Sequence, residues 1–412
     1  MKKILVLGVE QSNFLSFLYC TLKKYENSFF ISAPNIKDLK GVKNESWMYN
    51  NENINRNKSA LSFLKAIVFC LFDKHLYQTF FFILFVERKL LKSFHFIIKQ
   101  TESKAFFIQN DNFKDYDTFH FHYMQYSYLR ELFLVPKNKK IVCTFWGSDL
   151  LRTTDILNYY FVKKSLDRST YITCQSLELK EIILSKYGRS LEDKIKIAIF
   201  PTDEAIYDGI DLNQDSKDLI HDFKLKYNYS TNKLNVLIGH NGRVFINHMK
   251  IINALKEIKN KQKIHLIVNL NYAIKGLEKD RYKKEILKAL DESEYTYVLL
   301  EEYFSKEELA ISRLASDIFI HMPDSDALSG TMLELLYASN VVITASWLPY
   351  KTFRKAKLEY FEVDDFNQLT NEFDFVVDNY AFCKKQAINN KKAIKDYFFS
   401  DKIIKNWATV LN

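Results

Sequence analysis

The segment DALSGTMLELLYASNVVIT, residues 326–344, joins a loop, a helix that starts near Gly330 and a β-rich run. An apolar run, DIFIHMP (317–323), precedes it, so the order is strand, loop, helix and strand. That order is typical of a parallel sheet with helical crossovers, whose ligands lie at the carboxyl ends of the strands. Asp326, in the loop, and Glu334, one turn into the helix, are therefore placed near a candidate site.

The same alternation extends through the rest of the chain. Its second half contains the β-rich runs LNVLI, KIHLIVNLNY, YTYVLL, DIFIHMP and VVITAS, and its first half contains KKILVLGV, TFHFHY, KIVCTFW, TYITCQS and KIKIAIF. Helical patterns such as LELKEIILSKYG lie between several of them. The sequence predicts an α/β fold of two doubly wound Rossmann-like domains, 1–205 and 230–382, that face a central cleft, with a linker near 203–232. The segment 383–412 is predicted to form a helix that crosses back to the N-terminal domain and buries Tyr397, Phe398 and Trp407.

Composition narrows the class of protein. The 412 residues are 47% hydrophobic, with 34 Phe and 25 Tyr but only 9 Gly and 5 Pro, which indicates long regular elements. The net charge of +9 suits nucleic acid, an anionic membrane or an anionic ligand, but the familiar nucleic-acid motifs are missing and the lysines are scattered. Five separated cysteines favour a reducing cytosol. The longest apolar run, TFFFILFV, is far below the roughly twenty residues of a membrane span, so we expect a cytoplasmic or peripheral protein.

Two glycine-containing turns in the second half of the chain precede predicted helices. In GHNGRVFINH (239–248), a phosphate fits on the helix N-terminus, where free N–H groups and the dipole favour an anion, with Arg243 as charge partner. In LSGT (328–331), a second helix begins, and Glu334 is placed to bind both hydroxyls of a ribose. The simpler interpretation makes the first turn an ordinary βα connection, Asp326 a solvated residue and Glu334 a helix-dipole carboxylate.

Taken together, these motifs resemble those of a known enzyme group. The spacing from Asp326 to Glu334 resembles the E-x7-E signature of GT-B-fold glycosyltransferases of the family-4 type, with Asp in place of the first Glu. YDTFHFHY (116–123) resembles the D-x-x-H-x-H strand of these enzymes. IVCTFWGSDL (141–150) resembles their T-x-H-G-x-D strand, with Trp146 where His is usual.

A closer resemblance is to the bacterial TDP-4-acetamido-4,6-dideoxygalactose transferase family, which acts on a lipid-linked saccharide. FWGSDL is similar to its W-G-A-D-L stretch, IGHNGRVFINH to G-N-S-G-x5-H, and DALSGTMLELL to G-x-G-T-x-x-x-L-L. That family has no carboxylate at the position of Glu334.

The resemblance implies transfer of a sugar, hexosyltransferase-like, from a nucleotide-diphosphate donor to a saccharide acceptor in bacterial surface polysaccharide synthesis, without metal or cofactor. The residues agree with the absence of metal, since the sole D-x-D in a plausible loop is DSD (324–326) and no His/Cys cluster has ligand spacing. The implied donor-binding residues are Gly242, Arg243, His248, Ser329, Gly330, Thr331 and Glu334.

Three residues are candidates for catalysis. Asp326 is expected to face the hydroxyls of the donor sugar. Asp149, after an apolar strand, is the candidate for contact with the acceptor or reaction centre, and His122, at a strand end, can do either this or serve as general base. His120 shares the face of His122. We expect that at least one of the two is not a core residue, because two buried imidazoles need two sets of buried partners. We favour His122 at the strand end in the cleft, and the role of His120 stays open.

The aromatic segment 61–100 has two interpretations. It forms a pair of core helices, or an interfacial helix with Lys65, Arg88, Lys89 and Lys92 on anionic head groups, or both on different faces. Two other function classes also remain: a nucleotide-sugar epimerase of the same fold, which an activity assay separates, and a catalytically silent nucleotide-sugar-binding protein, which a donor-hydrolysis assay separates.

Overall fold

The computed structural model describes residues 2–8, 13–26, 28–34, 54–55, 59–399 and 401–412. Its contacts divide the chain into a first unit, residues 1–201 with 401–412, and a second unit, residues 202–400. Each unit contains one six-stranded sheet in which all neighbouring strands are parallel. The predicted α/β fold with two Rossmann-like domains is confirmed at the level of these two sheets.

The sheet of the first unit has the strand order β2-β1-β3-β4-β5-β6. Its strands are β1 Lys2–Gly8, β2 Phe29–Ser32, β3 Thr118–His122, β4 Lys140–Thr144, β5 Tyr171–Cys174 and β6 Ile195–Ile197. Its helices up to the second unit are α1 Asn13–Tyr25, α2 Ala60–Cys70, α3 Lys74–Phe81, α4 Leu90–Gln109, α5 Ser148–Leu151, α6 Ile156–Arg168 and α7 Leu177–Tyr187, and a π-helical turn, Phe82–Val86, follows α3.

The sheet of the second unit has the order β12-β11-β10-β7-β8-β9. Its strands are β7 Leu234–Ile238, β8 Ile264–Asn269, β9 Thr296–Leu300, β10 Ile318–His321, β11 Val341–Ala345 and β12 Phe361–Val363. Its helices are α8 Glu204–Asn213, α9 Lys217–Lys226, α10 His248–Leu255, α11 Gly276–Asp291, α12 Lys306–Ala315, α13 Gly330–Tyr337, α14 Lys351–Lys355, α15 Phe366–Asp378, α16 Tyr380–Ala387 and α17 Asn390–Phe398.

The linker predicted near 203–232 is wrong for most of its length, because α8 and α9 occupy it and belong to the second unit. Each helix contains several charged residues but buries an apolar face, with Ile206, Tyr207 and Ile210 buried in α8 and Phe223 in α9. Burial of these faces anchors both helices to the unit, which a linker would not require.

The C-terminal segment 383–412 is not one helix. Its last part, Asp401–Leu411 (α18), belongs to the first unit, where Trp407 is fully buried and donates a 2.7 Å hydrogen bond from Nε1 to the carbonyl of Ile199. Phe398 instead contacts Phe353 at a ring-centroid distance of 6.0 Å in the second unit. The prediction that Tyr397 and Phe398 pack on the N-terminal domain is therefore wrong, because α17 ends before the chain returns.

Within the described part of the chain, no single helix has the length and apolar composition needed to cross a membrane. The helix α2 and the segment Lys74–Val86 satisfy these two criteria only as a pair, and they are bent by 74° at their junction.

Candidate functional site

A cavity of about 190 Å³ in the second unit lies where three parallel strands end. Its walls come from the segments that follow β7, β8 and β9, together with α12 and the first turn of α13. Ligands of parallel sheets lie at this edge, so the cavity is the candidate site of the unit. Its lining residues are His240, Asn269, Asn271, Tyr272, Tyr303, Phe304, Leu309, Arg313, Thr331 and Glu334.

Glu334 enters this cavity already paired with Arg313. The guanidinium donates from Nε and a terminal nitrogen to the same carboxylate oxygen, Oε2, at 3.0 and 2.8 Å, and both side chains are largely buried. Burial raises the pKa of Glu334, and the charge of Arg313 opposes that rise. Oε1 has no hydrogen-bond partner among the described residues, so one oxygen is fixed and the other is available to a ligand.

The turn after β7 is shaped by close packing. At Gly242, a Cβ atom would lie 2.4 Å from Cγ2 of Ile274 and 3.3 Å from the carbonyl oxygen of Tyr272. The amide of Gly242 also donates to that carbonyl at 2.9 Å. Gly242 therefore allows the loops after β7 and β8 to meet, which is a structural requirement different from the predicted approach of a phosphate.

Arg243 and His248 differ in accessibility. The side chain of Arg243 is exposed and has no ion pair or hydrogen bond within the described ranges. His248 begins α10 but is fully buried, with Nδ1 3.2 Å from the hydroxyl of Tyr282. A Cβ at Gly239 would lie 2.5 Å from Nε2 of His248. The ring of His248 packs under the turn in this structure, and its contact with the donor stays a prediction.

The N-terminus of α13 is open. Ser329 is the N-cap residue, and its side chain accepts a hydrogen bond from the amide of Met332. Gly330 is exposed, and a Cβ built there meets nothing within 4 Å. Thr331 lines the cavity. The helix thus begins at Gly330 as predicted, and its first turn has room for an anion against the free N–H groups.

Asp326 is held by aromatic and imidazole donors. Its Oδ2 accepts a 2.8 Å hydrogen bond from the hydroxyl of Tyr350 and lies 3.2 Å from Nε2 of His321. Its Oδ1 accepts from the amide of Ala327. Burial opposes ionisation of Asp326, but the contacts with His321, His240 and Tyr350 prevail and lower its pKa to about 2. The carboxylate is ionised and positioned, not freely solvated.

In the first unit, His122 lies in a buried chain of hydrogen bonds. The indole N–H of Trp146 donates to its Nδ1 at 3.2 Å, and its Nε2 lies 2.8 Å from the hydroxyl of Tyr19. The same hydroxyl lies 2.7 Å from Nδ1 of His120, whose Nε2 lies 2.6 Å from Oγ1 of Thr144. Since an indole nitrogen only donates, a consistent proton order runs from Trp146 through His122, Tyr19 and His120 to Thr144.

This chain contradicts one prediction. Both histidines are fully buried, so the expectation that one of them is not a core residue is wrong: they share the Tyr19 hydroxyl instead of needing separate sets of partners. Burial lowers the pKa of His120 to about 3, and burial together with His120 lowers the pKa of His122 well below its usual value. His122 is therefore a buried member of the hydrogen-bond chain in this structure, and its catalytic role stays a prediction.

Asp149 is also withdrawn from solvent. It lies in the short helix α5 and accepts hydrogen bonds from the amides of Trp146, Gly147 and Met124 at 2.9, 2.9 and 2.7 Å. Burial raises its pKa to about 6, although these amides act in the opposite direction. In this structure the fully buried carboxylate holds the loop after β4 against the segment after β3, and its contact with the acceptor stays a prediction.

Sequence reasoning missed much of the cavity. Arg313 lies in the last turn of α12, and Tyr272 and Tyr303 follow β8 and β9 with exposed rings. His321, which ends β10 and contacts Asp326, was also missed. For the two tyrosines, a position directly after a strand was a signal in the sequence that could have identified them as cavity residues. Two buried atoms of lining residues, Nδ1 of His240 and Oδ1 of Asn271, have no partner in the structure.

Comparison with known proteins agrees with the fold. Residues 112–176 match the family model described as glycosyl transferase 4-like. The structure of Anabaena HepE in complex with UDP has a TM-score of 0.68 and 12% identity, with coverage of 100% of this chain and 99% of that one. A glycosyltransferase from Rickettsia africae has a TM-score of 0.67 and 14% identity, with coverage of 99% of this chain and 97% of that one. Sucrose-phosphate synthase from Thermosynechococcus elongatus has a TM-score of 0.65 and 12% identity, with coverage of 100% of this chain and 98% of that one.

The chain has the GT-B fold. The matched segment of the GT-B chain lies in the first unit and includes β3, β4 and β5. No curated protein matches the sequence significantly. The family match and the fold together support a nucleotide-sugar glycosyltransferase.

Proposed function

We propose that this GT-B protein transfers a sugar from a nucleoside-diphosphate donor to a lipid-linked saccharide in the synthesis of a bacterial surface polysaccharide. The part of this proposal that concerns the donor rests on one observation, the available oxygen of Glu334 in the cavity of the second unit. A carboxylate oxygen accepts hydrogen bonds from two neighbouring hydroxyls, which suits the 2′ and 3′ positions of a ribose.

The diphosphate would bind at the first turn of α13. The room at Gly330 lets phosphate oxygens reach backbone N–H groups, and Thr331 adds a hydroxyl. Arg243 supplies an exposed cation after β7, at the same edge of the sheet. Because Anabaena HepE was solved with UDP and with UDP-glucose, we propose a uridine nucleotide as the first donor to test.

The reaction would rest on charge stabilisation of the leaving diphosphate by Arg243 and the N-terminus of α13. Asp326 would accept hydrogen bonds from hydroxyls of the donor sugar, since its low pKa keeps it ionised. Independence of a metal remains part of the proposal. His122 and Asp149 are not assigned as the base, because both are buried and already hydrogen-bonded.

The acceptor half of the proposal places the protein at the inner face of the membrane. Two observations favour it: the resemblance to transferases that act on lipid-linked saccharides, and an exposed apolar surface on α2–α4. An exposed patch of this kind marks an interaction site in soluble proteins.

The experiment is a thermal-shift panel with UDP, GDP and TDP, followed by calorimetry of the nucleotide that stabilises the protein. Arg243→Ala should weaken binding of the diphosphate by about tenfold to a hundredfold, the loss of one charge-assisted contact, and leave nucleoside binding unchanged. Arg281→Ala, an exposed arginine on α11, is the matched control. Absence of stabilisation by all three nucleotides would overturn the proposal, and conversion of donor without transfer would favour an epimerase.

A further inference from the structure

The helix α2 has its small side chains inside and its large apolar side chains outside. Its buried residues are Ser62, Ala66 and Cys70. Its exposed side chains include Leu61, Phe63, Leu64, Ile67, Val68 and Phe69. A surface helix of a soluble protein normally has the reverse arrangement.

The helix α4 repeats this inversion. Four polar residues are among those it buries, and each donates a hydrogen bond: Ser93 to the carbonyl of Leu90 at 2.6 Å, Gln100 to the carbonyl of Arg130 at 2.9 Å, Ser103 to Glu131 at 2.8 Å, and Thr101 to the sulfur of Cys70 at 3.6 Å. Its outward side chains include Leu90, Leu91, Phe94 and Ile98. Although Oε1 of Gln100 has no partner among the described residues, the donors of these buried polar groups are paired and the large apolar side chains face outward. Such an arrangement is expected of an element that meets a non-aqueous medium.

The segment between these helices completes one surface. Tyr77 and Phe81 of α3, and Phe85 and Val86 of the π-helical turn, are exposed as well. In the described residues, 16 of the 31 exposed large apolar side chains lie between residues 61 and 98. We call residues 60–98 the α2–α4 surface.

The exposed charged groups of the α2–α4 surface are basic. They are Lys65, Lys74, Arg88 and Lys89. The acidic side chains of this surface already have hydrogen-bond partners. Asp73 caps α3 and accepts hydrogen bonds from the amides of His75 and Leu76. Glu87 is nearly buried and pairs with Lys92 at 2.8 Å. Lys92, which also lies 3.6 Å from Asp155, is therefore not a free head-group ligand, contrary to the expectation from the sequence.

We infer that the α2–α4 surface docks on a phospholipid bilayer, with its apolar side chains at the head-group boundary and its four basic side chains on anionic lipids. No single helix of this surface is long and apolar enough to cross a bilayer, and α2 is bent relative to the segment that follows it. The surface is therefore expected to lie in the plane of the membrane interface and not to cross the membrane. The exclusively basic set of exposed charges favours an anionic bilayer over a second copy of this net-positive chain. The inference extends the acceptor side of the proposed function, on which its biological role rests, but uses none of the donor-site residues.

The test is co-sedimentation of the full chain with vesicles of phosphatidylcholine alone or with phosphatidylglycerol, at low and high salt. Phe72→Ser with Leu91→Gln removes the two most exposed apolar groups of the surface, 84% and 85% exposed, and should weaken binding at least tenfold. Leu212→Gln with Leu277→Gln, at 79% and 87% exposed in the second unit, is the matched control and should bind like the wild type.

A second variant separates the two contributions. Replacing Lys65, Lys74, Arg88 and Lys89 by Gln should weaken binding to anionic vesicles severalfold and make the remaining binding insensitive to salt. Stabilisation by UDP should be unchanged in all variants, so that failure of the docking inference and failure of the proposed function are distinguishable. The inference is overturned if the wild type does not bind vesicles, or if the Leu212/Leu277 control loses as much binding as the Phe72/Leu91 variant. It is also overturned if the only effect of the Phe72/Leu91 substitutions is to convert a dimer of this chain into monomers.

Discussion

Arg313 donates two hydrogen bonds, of 3.0 and 2.8 Å, to one oxygen of Glu334, and the other oxygen has no partner in the part of the chain that the structure describes. This arrangement separates two roles in one carboxylate. One oxygen stabilises the second unit by pairing a buried guanidinium, and the other is presented to a ligand. Simple deletion of the side chain would disturb both roles, because an unpaired buried cation costs about 3–5 kcal/mol.

Glu334→Gln is therefore the informative variant. Its amide oxygen still accepts from Arg313, while the cavity side loses the charged acceptor. We expect UDP affinity to fall about tenfold or more, because hydrogen bonds to a charged group contribute about 1.5–3 kcal/mol each. Calorimetry measures the binding, and denaturant unfolding checks the fold. Full UDP affinity in Glu334→Gln would mean that the ion pair is purely structural.

Gly330→Ala tests the opening at α13. A Cβ at this position meets nothing within 4 Å, and Ala is the better helix former, so the variant should be at least as stable as the wild type. Its UDP affinity should nevertheless fall severalfold if phosphate oxygens approach the backbone there. Gly209→Ala gives the opposite profile as control, since its Cβ would lie 2.8 Å from that of Ala310 in α12. Unchanged UDP affinity in Gly330→Ala would reject the phosphate position.

Much of the fold could be predicted from local pattern. The helix at Gly330–Tyr337 and the strand at Val341–Ala345 follow from the segment quoted first, because apolar periodicity and the turn residues agree there. The strands β2 and β12 were missed, since four and three residues give too little pattern. The helices α8 and α9 were missed because charged residues are spread along both of them, and only tertiary packing reveals their apolar faces.

The site was less predictable, because burial is a tertiary property. Glu334 was chosen correctly as a cavity residue, but its partner Arg313 is 21 positions earlier, and nothing local connects them. His122 and Asp149 occupy motif positions, but in the fold they are buried. The partners of their buried polar atoms, the hydroxyl of Tyr19 for His122 and the amide of Met124 for Asp149, are brought close only by the folded sheet. The position of a residue in a motif therefore did not indicate its accessibility.

Tyr19→Phe tests the structural role of the buried histidines. It removes the hydroxyl shared by His120 and His122, leaving one nitrogen of each ring without its partner, at about 1–3 kcal/mol for each. Denaturant unfolding should show this loss, whereas donor binding should be unchanged. Tyr116→Phe, which removes a single buried hydrogen bond to Ser32, should cost about 1 kcal/mol. Equal losses in the two variants would contradict the shared-hydroxyl arrangement.

The buried carboxyl of Asp149 predicts how stability depends on pH. Its pKa is raised from 3.8 to about 6 in the folded state, so the folded protein binds this proton more tightly than the unfolded chain does. The associated stabilisation is complete below pH 3.8 and is lost as the pH rises through 6, by an amount on the order of 3 kcal/mol. Asp149→Asn removes this titration, although its amide cannot accept from all three backbone donors and the variant starts less stable. Urea unfolding of both proteins between pH 4.5 and 7.5 measures the difference. We expect the stability of the wild type relative to Asp149→Asn to fall as the pH rises, and a difference that is constant or grows with pH would show that the three amide hydrogen bonds outweigh burial and keep the carboxylate ionised.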